Sequence, residues 1–457
     1  MSYQSLSLKK YILLCGDVAI FFLSLYLTLL FRYGSGGIER LWLQHLWPFT
    51  AVFFLWIIIF YVSNLYDLTL AVNNFKFYSR AAKALFFSFL LGAAFFYLLP
   101  QLGIAPKRNL FIDIIITAIL FFIWRQLYNT ILKSYLPKSN IAIIGLNERV
   151  KELIKYFNDH PHLGFNIAFV FYNQDVYEEG LYNTPLLREV NKIKENLIRK
   201  KISAVVLVDN IKDDHDIRSH LFNCLHLGID FMNLPYFYEK IIGKVPLESL
   251  SQTWFLENLH EGGKLWFDKL KRVYDIGLAA VALIVSFPFW LPIALIIKLE
   301  SRGSVFYKQE RFGKNNRLIY LKKFRTMLEE GNSRLPTVPN DPRVTRFGKY
   351  LRKTRLDELP QVINILKGEM SIIGPRPERP EIARQLQMKI PFYNERTLIL
   401  PGVTGWDQVC GEYHSPDLDD TLKKLQYDLY YIKNRSLFLD ILILLKTVRT
   451  VIGRVGQ

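Results

Sequence analysis

Five long apolar stretches constrain the fold of this 457-residue chain more than any other feature. Four of them lie in the first third of the sequence, and each approaches or exceeds the roughly 20 residues that a helix needs to cross a bilayer. They cover residues 11–31, 45–65, 85–99 and 110–132, and short loops join them. This pattern predicts an antiparallel four-helix transmembrane bundle over residues 1–136.

The charges around the spans predict how the bundle is oriented. One side carries Lys9, Lys10, Lys76, Arg80, Lys83, Lys133 and Lys138, and the other carries Arg32, Arg40, Lys107 and Arg108. Because cytoplasmic loops are enriched in Lys and Arg, both ends of the bundle are predicted to face the cytoplasm. A net charge of +17 with 51% hydrophobic residues fits a membrane protein with a basic cytoplasmic face, and no nucleic-acid partner is expected.

Charged residues also occur inside the predicted spans. Asp17 lies in the first span, and Asp113 and Arg125 lie in the fourth. Charges inside a membrane usually face the protein interior and find partners there, so we expect pairing within the bundle. The three cysteines are scattered and show no CxxC spacing, which indicates a reducing compartment and no zinc site.

Residues 137–236 have the pattern of a parallel α/β domain. Short apolar runs begin at residues 141, 167, 204 and 229, and segments with helical spacing lie between them. Gly145 stands alone in the first turn, where a dinucleotide fingerprint would hold three glycines. The sequence therefore predicts a degenerate Rossmann-like domain without a dinucleotide, followed by a linker over residues 237–263.

The fifth apolar stretch, Ile276–Ile297, is 22 residues without a charge. A fifth crossing would place the C-terminal half on the side opposite the α/β domain, although basic residues flank both ends of the stretch. Pro288 and Pro292 each remove a helix hydrogen bond and favour a kink. We therefore predict a re-entrant helix over about residues 267–299 that bends near Pro288, where Ser286 satisfies a freed backbone carbonyl.

An acidic pair, Asp357 and Glu358, follows a strongly basic segment. Residues 301–356 contain fifteen Lys or Arg and four Asp or Glu. Pro360 suits the first position of a helix that Gly368 would close, so the pair is predicted at a helix N-terminus. Nearby cations should keep both acids ionised, as a nucleophile and a metal ligand. Helix capping with surface salt bridges is the simpler alternative for an isolated pair.

The motifs around the pair favour a polyphosphate-binding site. They are "QERFG" at 309, "KKFRTM" at 322, "DPRVTRFGKYLRK" at 341, "MSIIGPRPERPE" at 370 and "PGVTGWDQV" at 401. Arginine grips phosphate through two parallel hydrogen bonds, and rigid Gly-Pro turns can hold such side chains in place.

The motifs "KFRTM", "TRFGKYLRKTRLDELPQVINILKGEMSIIGPRPE", "PGVTGWDQV" and "YDLYYIKNRSLFLD" occur in this order. They closely resemble those of bacterial polyprenyl-phosphate hexose-1-phosphate transferases, the large monotopic phosphoglycosyl transferases that initiate exopolysaccharide, capsule and O-antigen synthesis. The resemblance covers Leu265 to about Val451, which places a catalytic domain at 264–457.

The resemblance implies transfer of a sugar 1-phosphate from a UDP-sugar to undecaprenyl phosphate with release of UMP. Asp357 would be the nucleophile and a ligand of Mg²⁺, and Glu358 would assist it. The donor expected is UDP-glucose or UDP-galactose, with an N-acetylated sugar left open. The candidates for substrate binding are Lys323, Arg325, Arg352, Arg376, Pro377 and Glu378. The catalytic domain would lie on the cytoplasmic face of the bacterial inner membrane, in contact with membrane lipid, and a homodimer is one option for the oligomeric state.

Two other functions are compatible with parts of the sequence. A membrane-anchored nucleotide-sugar dehydratase would have a similar bundle but needs a glycine-complete dinucleotide turn, which "IIGLNERV" lacks. A non-catalytic membrane regulator would keep its role after replacement of Asp357, whereas a transferase would lose turnover.

Overall fold

The computed structural model describes residues 2–36, 38–66, 75–98, 107–128, 130, 139–160, 164–172, 184–208, 214–247, 252–259, 264–328, 341–410 and 417–453. Lys133 and Lys138, which the charge pattern assigns to the cytoplasmic side, lie outside these residues, as do residues 248–251 and 260–263 of the predicted linker. The chain divides into two compact units, Met1–Phe237 and Tyr238–Gln457.

The first unit begins with four long apolar helices. They are α1 (Ser2–Tyr33), α2 (Ile38–Val62), α3 (Phe75–Leu98) and α4 (Lys107–Leu127). Aromatic side chains such as Phe21, Trp56 and Phe121 fill one shared core, in which α1 packs against α4 and α2 against α3. By length and composition each helix can cross a membrane, so the chain is a membrane protein.

Polar side chains join α1 to α4 inside this core. Arg125 donates to Asp17 at 2.6 Å, which confirms the expected pairing of charges within the bundle for these two residues. Asp113 instead accepts a hydrogen bond from Ser24 at 2.7 Å. Because Asp113 and Arg125 lie more than three turns apart on one helix, they cannot meet.

The unit continues with a five-stranded sheet and its helices. In chain order these are β1 (Ser139–Ile144), α5 (Glu148–Asp159), β2 (Phe165–Phe171), β3 (Leu186–Leu187), α6 (Ile193–Arg199), β4 (Ile202–Leu207), α7 (His215–Phe222) and β5 (Asp230–Asn233). All ladders are parallel and the strand order is β3-β2-β1-β4-β5. The sequence pattern predicts four of these strands, whereas β3 is too short to show a periodicity.

The second unit contains most of the remaining elements. They are α8 (Leu234–Ile242, which begins in the first unit), α9 (Gln252–Asn258), α10 (Leu265–Glu300), β6 (Phe306–Phe312), β7 (Leu318–Phe324), α11 (Arg346–Lys353), α12 (Val362–Lys367), β8 (Ser371–Ile373), α13 (Pro380–Lys389), β9 (Gly402–Thr404), α14 (Trp406–Cys410), α15 (Leu418–Asn434) and α16 (Leu437–Gly453). Strands β6 and β7 form an antiparallel hairpin, and β8 pairs with β9 in parallel.

Helix α10 is also apolar enough to cross a membrane, and both of its ends are tied to the same domain. Near its start, Arg272 donates to the Ile365 carbonyl at 2.6 Å, at the end of α12. At its end, Glu300 accepts the Phe347 N–H at 3.0 Å, at the start of α11. The acid pair therefore lies in the segment between the two anchor points of α10.

The two prolines of α10 have a polar neighbour in Ser286, which is buried. Its hydroxyl donates to the Leu283 carbonyl at 3.3 Å and accepts from the Trp290 indole N–H at 3.1 Å. The carbonyl that loses its donor at Pro288 is that of Ile284, four residues earlier. Ser286 thus bonds a neighbouring carbonyl instead of the freed one, because a serine in a helix reaches back only three or four residues.

Candidate active site

The acid pair lies in a 3₁₀ turn, Leu356–Gln361, which directly precedes α12. Arg355 enters this turn in the left-handed region with φ of 59°. Pro360 lies inside the turn, so the predicted placement of the pair at an α-helical N-terminus is wrong by one turn. Gly368 closes α12 with φ of 82°, as predicted.

Glu358 is held by two cations from different elements. The Lys323 ammonium of β7 donates to its carboxylate at 2.8 Å, and the Arg376 guanidinium, which follows β8, donates at 2.9 Å. Burial by itself would raise the pKa of Glu358, but Arg376 and Lys323 outweigh it and lower the pKa to about 2. Glu358 is therefore ionised at neutral pH, as predicted from the sequence.

Asp357 has a different environment although it is the next residue. Its side chain is buried and has no ion-pair partner among the described residues. Burial raises the pKa of Asp357, the negative charge of Glu358 raises it further, and Lys323 and Arg352 only partly oppose these effects. The expectation that cations lower both pKa values is therefore wrong for Asp357, because burial outweighs the cations, and Lys323 and Arg376 donate their hydrogen bonds to Glu358.

Two further predicted arginines occupy different positions. The Arg352 Nε donates to the Thr326 hydroxyl at 2.8 Å, and its charge acts on Asp357. Arg325 is buried and donates to the Ser301 carbonyl at 2.8 Å, at the end of α10. Strand β7 ends at Phe324, so Arg325 no longer shares a strand face with Lys323.

Two glycines fix the backbone that carries Arg376. Gly374 donates its N–H to the Thr404 carbonyl at 2.9 Å, and Gly402 donates to the Pro375 carbonyl at 3.0 Å. A Cβ on Gly402 would lie 2.1 Å from the Gly374 nitrogen, which no packing adjustment can accommodate. The two strand ends can approach this closely only because both residues lack a side chain.

The residues after Arg376 contact a second cluster of cations. Pro377 offers its carbonyl to Arg311 at 3.0 Å. Glu378 accepts from Lys424 at 2.5 Å and lies 3.9 Å from Arg396. Burial would raise the pKa of Glu378, but Lys424 and Arg396 lower it to about 2. The structure thus groups Glu378 with these cations and not with Asp357.

A buried ion pair between Arg396 and Asp428 lies next to this cluster. The Arg396 guanidinium donates to Asp428 at 2.7 Å and to the Arg376 carbonyl at 3.0 Å. Both side chains are almost completely buried. Sequence reasoning did not select either residue, although Asp428 lies in the motif "YDLYYIKNRSLFLD". The motif shows only that an acid occurs at position 428. The fold shows that the partner of this acid, Arg396, also binds the backbone carbonyl of Arg376.

The environment of Asp357 also fits a divalent cation. Within the described part of the chain, no cluster of three or more His, Cys, Asp or Glu forms a complete metal site. Mg²⁺ commonly uses one or two carboxylates, several waters and the phosphate oxygens of its substrate. Asp357, which has no ion-pair partner among the described residues, is the carboxylate that can supply the protein's share of such a set.

The opposite pKa shifts of the two acids predict opposite effects on stability. A raised folded-state pKa means that ionised Asp357 destabilises the fold at neutral pH, so Asp357→Asn should raise the melting temperature by a few degrees there. This gain should shrink as the pH falls through the raised pKa.

Glu358 contributes stability above its ordinary pKa of 4.5, and this stability is lost as the pH falls towards about 2. Glu358→Gln should therefore lower the melting temperature at neutral pH. Thermal unfolding in detergent measures the melting temperatures of both variants. If the two substitutions changed the melting temperature in the same direction, the opposite pKa shifts of the two acids would be contradicted.

Comparison with known proteins agrees with this architecture. Residues 266–454 match the family described as bacterial sugar transferases. A relative from Aeromonas hydrophila, named UDP-N-acetylgalactosamine-undecaprenyl-phosphate N-acetylgalactosaminephosphotransferase, is 43% identical over 55% of this chain and 59% of its own length. A UDP-glucose:undecaprenyl-phosphate glucose-1-phosphate transferase from Xanthomonas campestris pv. campestris is 32% identical over 69% of this chain and 66% of its own length.

The helices and the site together define a membrane protein with a C-terminal sugar transferase domain. A further relative from Klebsiella pneumoniae, also named UDP-glucose:undecaprenyl-phosphate glucose-1-phosphate transferase, is 30% identical over 78% of this chain and 74% of its own length. The chain belongs to the bacterial sugar transferase family.

Proposed function

We propose that this protein transfers a sugar 1-phosphate from a UDP-sugar to undecaprenyl phosphate and releases UMP. The observation that carries the proposal is the contrast within the acid pair: Glu358 is bound by Lys323 and Arg376, whereas Asp357 has no ion-pair partner among the described residues. An unpaired carboxylate is available to attack, and the cations beside it can neutralise a diphosphate.

In the first step, an Asp357 carboxylate oxygen attacks the sugar-proximal phosphorus of the donor. The bond between this phosphorus and the bridging oxygen breaks, and UMP leaves with that oxygen and the bonding electrons. The product is a phosphoglycosyl-aspartate. Burial favours this step, because it removes the water that would otherwise stabilise the carboxylate charge.

In the second step, an oxygen of the lipid phosphate attacks the same phosphorus. The bond to Asp357 breaks and the free carboxylate is restored, so the lipid carries a sugar diphosphate. Glu358 does not exchange protons near neutral pH, because its pKa is about 2. Its role is to hold Lys323 and Arg376 in place until they share their charge with the diphosphate.

We further propose that Mg²⁺ binds at Asp357. A bound Mg²⁺ would screen the negative charge of the diphosphate. Arg352 is held towards Asp357 by Thr326 and supplies additional positive charge. The domain boundaries are proposed as 1–136, 137–236, 237–263 and 264–457.

The membrane arrangement follows as part of the same proposal. Helices α1–α4 form a transmembrane bundle, and the parallel α/β domain is Rossmann-like. A helix of 36 residues is about 54 Å long, far more than the thickness of about 30 Å of the hydrocarbon core of a bilayer. Since both ends of α10 are bound within one domain, we propose that it is re-entrant and leaves the membrane on its side of entry. That side is the cytoplasmic face of the bacterial inner membrane, where UDP-sugars are available.

The donor sugar is proposed from the relatives. The Aeromonas relative is named for an N-acetylgalactosamine donor, and the Xanthomonas and Klebsiella relatives for UDP-glucose. The test is UMP release by purified protein in detergent with Mg²⁺ and undecaprenyl phosphate. The panel contains UDP-glucose, UDP-galactose and their N-acetylated counterparts.

Release of UMP with one donor, dependent on the lipid phosphate, would support the proposal and name the sugar. Removal of Mg²⁺ by a chelator should stop the release, and re-addition should restore it. A folded preparation that releases no UMP from any donor would contradict the proposal and favour a non-catalytic membrane regulator.

A further inference from the structure

One helical turn near the start of α10 holds two separate parts of the candidate active site. Arg272 donates to two backbone carbonyls at the end of α12, at 2.6 and 2.9 Å. Asp275, three residues further along the same face of the helix, accepts the N–H of Ile372 in β8 at 3.1 Å. The acid pair directly precedes α12, and Arg376 follows β8, so both parts of the site are bound to this turn.

The bond to Asp275 satisfies the edge of β8 that faces away from β9. Among the described residues β8 pairs with β9 alone, and the N–H of Ser371 donates to that side, to the Pro401 carbonyl at 2.9 Å. Because successive N–H groups of a strand point to opposite sides, the N–H of Ile372 points away from β9. Asp275 is 1% exposed, so water has little access to this bond. Loss of its carboxylate would leave a backbone N–H without an acceptor.

A buried polar network connects the same turn of α10 to β8 by a second route. Asp440 of α16 is 1% exposed and accepts hydrogen bonds from Lys271 at 2.7 Å and from the Tyr274 hydroxyl. It also accepts from the Tyr431 hydroxyl at 2.7 Å, and this hydroxyl lies 3.3 Å from the Ile373 carbonyl of β8. None of these side chains has a part in the two reaction steps. Buried networks of this kind hold the elements that they join in one arrangement.

The turn lies where α10 is expected to enter the membrane. Asp275 is the last charged residue before the charge-free stretch Ile276–Ile297. The exposed side chains that follow are apolar, among them Leu278, Val281 and Ile284. An apolar stretch settles in the hydrocarbon core while its charged flank stays in the interface, so the bilayer fixes the height of this turn. Elements bonded to the turn then have a fixed height as well.

The two substrates of the proposed reaction depend differently on this height. A UDP-sugar arrives from water and can follow a displaced binding site. The polyprenyl chain instead holds the acceptor phosphate at the membrane surface. A shift of β8 relative to α10 would therefore leave Arg376 able to bind the donor but misaligned with the acceptor. A misplacement of about 1 Å can slow a reaction on the order of a hundredfold.

We propose that Asp275 is a positioning residue, which keeps Arg376 at the height of the lipid phosphate and so serves the second step of the reaction. This inference rests on the proposed function. Asp275 acts through β8 and has no contact of its own with either substrate.

The test compares the two steps in the full-length protein, embedded in nanodiscs of phosphatidylethanolamine and phosphatidylglycerol. Labelling of the protein with radioactive sugar phosphate in the absence of lipid phosphate reports the first step. Discharge of the label by undecaprenyl phosphate reports the second. We expect Asp275→Ala to label within about twofold of the wild-type rate and to discharge at least about tenfold more slowly, as a misplaced group would. Asp275→Asn keeps an oxygen acceptor for the N–H of Ile372 and should recover most of the discharge rate.

A soluble acceptor and a matched variant isolate the effect of height. With a water-soluble, short-chain polyprenyl phosphate, Asp275→Ala and wild type should discharge equally fast, because the bilayer does not hold this acceptor. Asp268→Ala is the matched control, since Asp268 is an acid two turns earlier on α10 that binds Arg435 at 3.2 Å instead of β8. It should leave the ratio of the two rates unchanged.

Three results would overturn the assignment. Equal slowing of both steps would make Asp275 a stabilising residue only, and slower labelling with normal discharge would place its effect on the donor. Slow discharge that persists with the short-chain acceptor would contradict the role of height. If Asp275→Ala does not fold, the same measurements are made on Asp275→Ser, whose hydroxyl is too short to reach Ile372.

Failure of the proposed function can be told apart from failure of this inference. If wild type forms no label, the proposed reaction has failed, and hydrogen exchange of residues 371–376 then tests the bond to β8 by itself. Faster exchange in Asp275→Ala but not in Asp268→Ala would support the positioning role. Unchanged exchange in Asp275→Ala would overturn it.

Discussion

Asp357→Asn is expected to reduce UMP release by at least about a thousandfold, the scale seen when a covalent nucleophile is removed. An amide has no negative charge with which to attack phosphorus, and Glu358 cannot substitute because Lys323 and Arg376 hold its carboxylate. The measurement is steady-state UMP release with the preferred donor. It is paired with detection of radiolabelled sugar phosphate on the protein when the lipid is omitted.

The matched control is Glu381→Gln, which replaces an exposed carboxylate at the start of α13. It should retain both turnover and the labelled intermediate. The Asp357→Asn protein should lack the label and yet be at least as stable as wild type, since the substitution removes a buried charge. Full turnover by a folded Asp357→Asn protein would exclude Asp357 as the nucleophile.

Arg396→Met is expected to destabilise the C-terminal domain by about 3–5 kcal/mol, because it leaves Asp428 buried without its partner. Burial raises the pKa of Asp428 and the Arg396 guanidinium lowers it, so the guanidinium is what favours the charged form of the buried acid. The same substitution removes a hydrogen bond to the Arg376 carbonyl. Unfolding in detergent should show the loss of stability, and surviving enzyme should have a raised KM for the donor.

A second variant separates the charge from the packing. Arg396→Met combined with Asp428→Leu removes both charges, and replacing a buried pair by apolar residues is often nearly neutral. The double variant should therefore recover most of the stability but not the KM, since the Arg376 carbonyl still lacks its donor. If the single variant is as stable as wild type, the pair does not support the site.

The broad architecture could be predicted because it depends on local patterns. Runs of about 20 apolar residues specify α1–α4 whatever they pack against. Apolar strands alternating with helical segments predict four of the five parallel strands. The acid pair is recognisable because it is exceptional in a basic segment, and two of the cations predicted beside it, Lys323 and Arg376, do contact Glu358.

The sequence could not predict the details that depend on contacts between residues far apart in the chain. Arg325 and Lys323 are two residues apart, yet the end of β7 turns Arg325 towards Ser301. Asp113 and Arg125 occur in one span, but Arg125 pairs with Asp17 on another helix. A small cavity lined by Phe312, Arg376 and Pro401 likewise combines residues that are far apart in the chain.

The sequence alone therefore determined that this is a membrane protein with a basic C-terminal domain built around Asp357 and Glu358. Composition and periodicity contain that information, because apolar length and charge are properties of the residues themselves. Only the tertiary structure decided that the two acids differ: Glu358 is bound to cations, whereas Asp357 is buried and has no ion-pair partner among the described residues. The physical reason is that burial and ion pairing are set by residues from β7, α11 and the end of β8, which meet only when the chain folds.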